Sequence, residues 1–168
     1  MPYTDLLRIA VLLTGAEATA LAAITAIAVN RDDDATTLIV AAVWWLIALA
    51  VGLYLGRPRR AADSLRDPLA RARTATSLPP EPPARITVAR LWPIAVTAIA
   101  AGALGVFFPG VAAIGAGYAL LVSLAWHTRE AAVLAIEQRD GVRFYVVPSP
   151  ALRPIQLVRT PGLRSVPR

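Results

Sequence analysis

The stretch ATTLIVAAVWWLIALAVGLYLG, residues 35–56, followed at once by RPRR at 57–60, decides how the rest of the chain is read. It holds no charged residue across 22 positions. A helix rises about 1.5 Å per residue, so roughly 20 apolar residues cross the ~30 Å hydrocarbon core of a bilayer. This block has the length and composition of a membrane span.

Working outward, three more blocks read the same way. The first span is predicted over about 6–29 and carries Glu17 within it. The third covers about 91–108 and the fourth about 110–132. Only seventeen uncharged residues precede His127 in the fourth, but the apolar pattern resumes at 131–136, so this helix is expected to continue into the cytoplasm. The first block is too long in its apolar stretch, and too thinly charged ahead of it, for a cleaved leader; it is read as a retained span. The expected architecture is an all-α membrane protein with four transmembrane helices as two hairpins and a short cytoplasmic β-hairpin tail. Its segments are a first hairpin at 1–56, a basic Pro-rich cytoplasmic loop at 57–90, a second hairpin at 91–136 and a cytoplasmic tail at 137–168.

Composition agrees. Hydrophobic residues make up 57% and charged residues 17%, against about 45–50% and about 25% in soluble domains. All 17 basic residues are arginine and 34 residues are alanine, a mix read as the codon bias of a GC-rich bacterial genome. The absence of cysteine excludes disulfides, thiolate catalysis, iron–sulfur ligation and Cys-based zinc sites. With no lysine there is no Schiff-base anchor. No cofactor is expected, and no Walker, G-x-S-x-G or G-x-G-x-x-G motif is present.

Arginine placement sets the expected orientation, because cytoplasmic loops carry the excess of basic residues. Eight arginines lie in 57–90, seven in the tail from Arg129 onward, and Arg8 precedes most of the first span. Only Arg31 falls in the opposite turn, among Asp32, Asp33 and Asp34. Sixteen against one places both termini in the cytoplasm, in a bacterial inner membrane. The acidic run lacks the ligand count of a calcium site; Asp33 or Asp34 is expected to cap the second span.

Four polar or aromatic residues stand out within the spans. Glu17 sits eleven residues past Leu6, roughly 16 Å into the bilayer, where an ionisable group is costly and faces protein. Trp44 and Trp45 lie mid-span, away from the headgroup level that tryptophan favours. Each indole N–H there needs an acceptor, and a backbone carbonyl is the first expectation, with the Glu17 carboxylate as the alternative. His127, the only histidine, is expected at the cytoplasmic end of the fourth span, bonded to headgroups or to Glu130. Small residues at Ala18, Ala22 and Ala26, and at Gly115, Gly117 and Ala119, offer faces for close helix approach.

The loop and tail hold the remaining candidates. Arg57, Arg59, Arg60, Arg71 and Arg73 are candidates for contact with anionic lipid headgroups, each contributing on the order of 1 kcal/mol near the surface. Asp67-Pro68 reads as a helix cap and first turn, with Leu65, Leu69 and Ala72 on an apolar side. Residues 76–83 read as a polyproline spacer. Residues 142–147 and 155–159 are expected to pair as strands. Because a lone two-stranded hairpin is marginal in water, it is expected to need support from the cytoplasmic helix, the membrane surface or another protein, and this favours a partner: another membrane protein or a second copy of the chain. Nucleic acid is not, since the arginines already have a topological role and no recognition motif accompanies them. The reading reached from sequence is a non-enzymatic accessory or scaffolding subunit; the competing class is a small transporter or proton-coupled channel subunit using Glu17.

Overall fold

A computed structural model describes residues 1–74, 82–151 and 153–161. Residues 76–81 of the expected spacer, Gly162 and the basic Arg164 and Arg168 lie outside these. In chain order the elements are α1 (Tyr3–Asp32), α2 (Ala35–Leu55), α3 (Pro58–Ala70), β1 (Arg73–Thr74), α4 (Pro83–Gly105), α5 (Pro109–Trp126), α6 (Arg129–Asp140), β2 (Val142–Val146) and β3 (Leu157–Pro161). Four helical runs are long and apolar enough to cross a membrane: α1, α2, α4, and α5 with α6. Large apolar side chains cover their outer faces; on α2, Leu38, Ile39, Val40, Leu46 and Ile47 are between 44% and 65% exposed. A soluble surface rarely carries so large an apolar patch, whereas lipid covers it without cost.

Helix α5 is the centre of the bundle, packing against α1, α2 and α4. Its sequence explains why. Ala112, Ala113, Ala116, Gly117 and Ala119 are all buried, and side chains this small let three neighbours approach at once, which is the main source of helix association in lipid. A Cβ added at Gly105 of α4 would press on Ala112, one at Gly115 would meet Leu21 of α1 and Ala101 of α4, and one at Gly117 would fall on the Trp44 indole. These contacts fix direction. Gly52 faces Leu121 and Leu124 while Trp45 bonds Ala113, so α2 runs parallel to α5. Ser123 bonds the Val11 carbonyl while Gly115 faces Leu21, so α1 runs antiparallel to it. The principal neighbour of α2 is thus α5, not the α1 to which it is joined.

Along α1 the buried positions run Ala10, Thr14, Ala18, Leu21, Thr25, Ala28. The alternation of three- and four-residue steps follows the 3.6-residue turn, so the strict four-residue series drifts off the face: Ala18 is buried, Ala22 half-buried and Ala26 exposed. Thr14 and Thr25 satisfy their hydroxyls on the carbonyls of Ala10 and Leu21, each at 2.9 Å.

The α1–α2 turn is closed by Asp33, held left-handed at φ 50°, and by Asp34, whose carboxylate accepts from the Thr37 N–H at 3.0 Å. The bonds from Thr37 hold the Asp34 carboxyl below its usual range. Asp34, then, is the cap of the second helix.

The opposite end of the bundle is not a loop and a tail. Three separate stretches of chain fold together there, and several sequence expectations need correction. Helix α3 begins at Pro58, whose fixed φ suits the first helical turn, and Asp67-Pro68 lies in its last turn instead of capping it. Helix α4 is already formed from Pro83, ahead of the third span expected from about 91. The fourth apolar run, Pro109–Asp140, has a break within it: α5 stops at Trp126, and Thr128 Oγ1 donates to the Gly56 carbonyl at 2.7 Å and ties the break to the end of α2. The strands are not a lone hairpin. β2 and β3 pair antiparallel, Val142 opposite Pro161 and Val146 opposite Leu157, and β1 adds to β3 in parallel, giving the order β1-β3-β2. The other edge is closed by Pro2 against Tyr145 and by Val146 N–H donating to the Met1 carbonyl at 3.0 Å. Gly141 at φ 64° turns α6 into β2, and Glu137 accepts from the Phe144 N–H at 2.9 Å.

This end holds the larger apolar core, built from Leu6 and Leu7 of α1, Leu65 and Leu69 of α3, Val133 of α6 and Phe144 of β2, among others. Within the bundle the buried cluster is only Leu21, Ala112 and Ala116. The contrast has a physical basis. Water drives apolar side chains together outside the bilayer, while inside it lipid already solvates them and close backbone approach suffices.

Candidate functional site

Glu17 stands midway along α1, fourteen residues from Tyr3 and fifteen from Asp32. It is half-buried, forms no hydrogen bond or ion pair among the described residues, and does not line the cavity described below. The tryptophans are engaged elsewhere. Trp45 Nε1 donates to the Ala113 carbonyl at 2.9 Å and Trp44 Nε1 to the Ile114 carbonyl at 3.3 Å. Trp44 also packs edge-on against Tyr118, with ring centroids 5.3 Å apart. These bonds join α2 to α5 and do not reach Glu17.

His127 Nδ1 bonds the Leu124 carbonyl, one turn back, and its ring lies against Gly56. It therefore packs the break between α5 and α6 onto the end of α2 and forms no pair with Glu130. Arg57 and Arg60 both lie over the Tyr54 ring, at 4.8 and 4.3 Å, and Arg60 donates to the Tyr54 hydroxyl at 2.8 Å. Arg59 is exposed, Arg71 lies 4.0 Å from Asp67, and Arg73 sits in β1. The apolar side of α3 is spent on protein, with Leu65 only 1% exposed, so that face is not available to lie on lipid. The arginines of α3 lie on its outer side, with Asp63 and Asp67 among them.

The arrangement with the clearest chemistry lies elsewhere, in residues that sequence reading treated as topological charge. A cavity of about 270 Å³ opens where α1, α4 and the α5–α6 break meet the segment after β2. Tyr3, Leu6, Leu7 and Ala10 come from α1, Leu91 and Ile94 from α4, and Trp126 from α5. Arg90 and Arg129 complete it, with Arg153 and Ile155 at the margin. Among the described residues, no acidic one lines it.

Arg90 is held in place by backbone. Its Nη1 donates to the carbonyls of Pro150, Ala151 and Arg153 at 3.0, 3.2 and 2.7 Å. Its Nε and Nη2 are buried and have no acceptor among the described residues. Arg129 lies over the Trp126 ring at 5.0 Å, a cation–π contact, and its buried Nε likewise has no acceptor. Two arginines with unused buried donors therefore line one largely apolar space, and no carboxylate among the described residues lies on it to balance them. Positions 3, 90 and 129 are too far apart in sequence to suggest a shared site; the one legible hint is that each stands at the polar boundary of a predicted span.

No protein-family model, curated protein or solved structure matches the chain.

Proposed function

We propose that this protein is a multi-pass membrane protein of a bacterial inner membrane, a non-enzymatic accessory or scaffolding subunit that holds a small folded module against the cytoplasmic face. One observation carries the reading: the N-terminus, the central segment and the tail share a single buried core at one end of the bundle, from Met1 through Leu65 and Val133 to Leu157. A module knitted from three returns of the chain, with Leu6, Leu7 and Leu91 of the long helices in the same core, suits a platform. Its strands are supported from within, so a partner would dock on a finished surface and not complete an unfinished hairpin. The arginine bias supports a cytoplasmic module, and the four helical runs long and apolar enough to span support the multi-pass reading. Glu17, which does not line the cavity described above, gives the transporter reading less support.

Orientation has a direct test, since the chain contains no cysteine of its own. A membrane-impermeant maleimide is expected to label Asp32→Cys in intact spheroplasts and Ala62→Cys only after permeabilisation. The reverse pattern would invert the topology. For the scaffolding role, affinity purification in mild detergent followed by native mass measurement is expected to return a stoichiometric membrane-protein partner or a homo-oligomer. A chain that emerges alone and monomeric would remove the scaffolding reading, and a proteoliposome flux assay of Glu17→Gln would then take precedence.

A further inference from the structure

We infer that the Arg90–Arg129 cavity binds a phosphate group, carried on the headgroup of an anionic lipid. The inference rests on the membrane placement proposed above but not on the scaffolding role.

The argument begins with cost. A guanidinium withdrawn from water loses several kcal/mol of hydration unless hydrogen bonds and opposite charge replace it, and buried polar atoms in folded proteins nearly always have partners. Here Arg90 and Arg129 both line the cavity, and Nε and Nη2 of Arg90 and Nε of Arg129 are buried and without a protein acceptor among the described residues. Arg153 lines the space too, and no aspartate or glutamate among the described residues does. The group that answers this set is an anion with several acceptor oxygens.

Geometry narrows the anion. With Nη1 of Arg90 tied to three carbonyls, the edge left without a partner among the described residues is the one bearing Nε and Nη2. That is the edge with which Arg31 and Arg139 grip the two oxygens of Asp32 and Asp140 elsewhere in this protein. Such a fork binds two oxygens of an oxyanion side by side. One carboxylate would occupy one fork and leave Arg129 unanswered; a tetrahedral phosphate has further oxygens for it. The backbone clamp also means that little conformational entropy is lost when the anion arrives.

The walls indicate what the phosphate is attached to. Leu6, Leu7, Ala10, Leu91 and Ile94 belong to the spans and line the cavity on the bundle side. A space of about 270 Å³ falls just below the roughly 300 Å³ at which pockets for drug-sized ligands begin, so it takes a phosphate and its glycerol linkage but not a nucleotide. Between guanidinium groups and apolar span residues, at the polar end of a membrane bundle, the matching molecule is an amphiphile.

The test uses the full-length protein in a mild non-ionic detergent, titrated by calorimetry with dioctanoyl phosphatidylglycerol, dioctanoylglycerol and inorganic phosphate. Phosphatidylglycerol is expected to bind with one-to-one stoichiometry and dioctanoylglycerol not to bind. Arg129→Gln should weaken phosphatidylglycerol about tenfold or more, in line with the loss of charge-assisted hydrogen bonds, while exposed Arg59→Gln leaves it unchanged. Arg129→Lys, which keeps the charge and loses the fork, should fall in between and serves if the glutamine variant does not fold. If inorganic phosphate binds as tightly as the lipid and with the same dependence on Arg129, the phosphate site stands and its lipid source is overturned. No binding by either phosphate compound, or binding indifferent to Arg129, overturns the site itself. Partner capture by the Arg129→Gln protein should match that of the parent, so failure here and failure of the scaffolding role are separately visible.

Discussion

A Gly117→Leu protein is expected to lose the seam between α2 and α5 and to unfold in detergent about 4–16 °C below the parent. A Cβ at this position would fall on the Trp44 indole, and a leucine would drive the ring off α5 altogether. Overpacking a tight contact costs about 1–3 kcal/mol, and the bond from Trp44 to the Ile114 carbonyl contributes about 1 kcal/mol more. For a chain of this length each kcal/mol corresponds to about 2–4 °C. Displacement of the indole should also shift tryptophan emission. Gly110 provides the control, since nothing lies within 4 Å of a Cβ built there, so Gly110→Ala should melt with the parent. A Gly117→Leu protein melting within a degree or two of the parent would mean that α2 is not seated on α5 by this contact.

Leu65→Asp is expected to detach α3 from the module while leaving the spans intact. Leu65 is 1% exposed and packs in the core that also holds Val133, at 0%. Truncating such a leucine costs about 2–5 kcal/mol, and an unpaired carboxylate in the same place adds a desolvation penalty. Trypsin should then cut at Arg66 and Arg71, both on the outer side of the segment, at least tenfold faster than in the parent. Ala62→Asp, one turn away on the exposed side, should leave cleavage unchanged. The experiment separates two ways of covering the apolar side of α3. If lipid covered it, detergent extraction would expose α3 in parent and variant alike, and their cleavage rates would coincide.

The two predictions mark where sequence reading reached and where it stopped. An apolar run and a charge-free length are properties of consecutive residues, so the candidate spans could be read from the chain with boundaries off by a few residues. The same was true of the need for an indole acceptor at Trp44 and Trp45, because depth in a span forces the question whatever the partner turns out to be. The apolar side of α3 was also legible, as Leu65 and Leu69 repeat at helical spacing. Its destination was not, since an amphipathic helix has the same pattern whether lipid or protein covers it. Strand segments at 142–147 and 155–159 were visible from composition, yet the third strand at Arg73–Thr74 is too short to leave a periodic signal, and it joins β3 across a separation of 85 residues.

By itself, then, the sequence determined the number of helical runs long and apolar enough to span and the uneven distribution of arginine between their two ends. Both follow from one-dimensional sums of hydropathy and charge. Only the tertiary structure decided that α2 is seated on α5, that three distant segments make one core, and that Arg90 and Arg129 face a common space with Tyr3. Between helices in lipid there is no apolar driving force to read from composition. Partner choice depends on where glycine and alanine on one helix meet bulk on another, and that complementarity exists only once both surfaces are placed. The cavity depends in turn on that placement, because its two guanidinium groups come from helices that meet only when α4 and the α5–α6 break close on the start of α1.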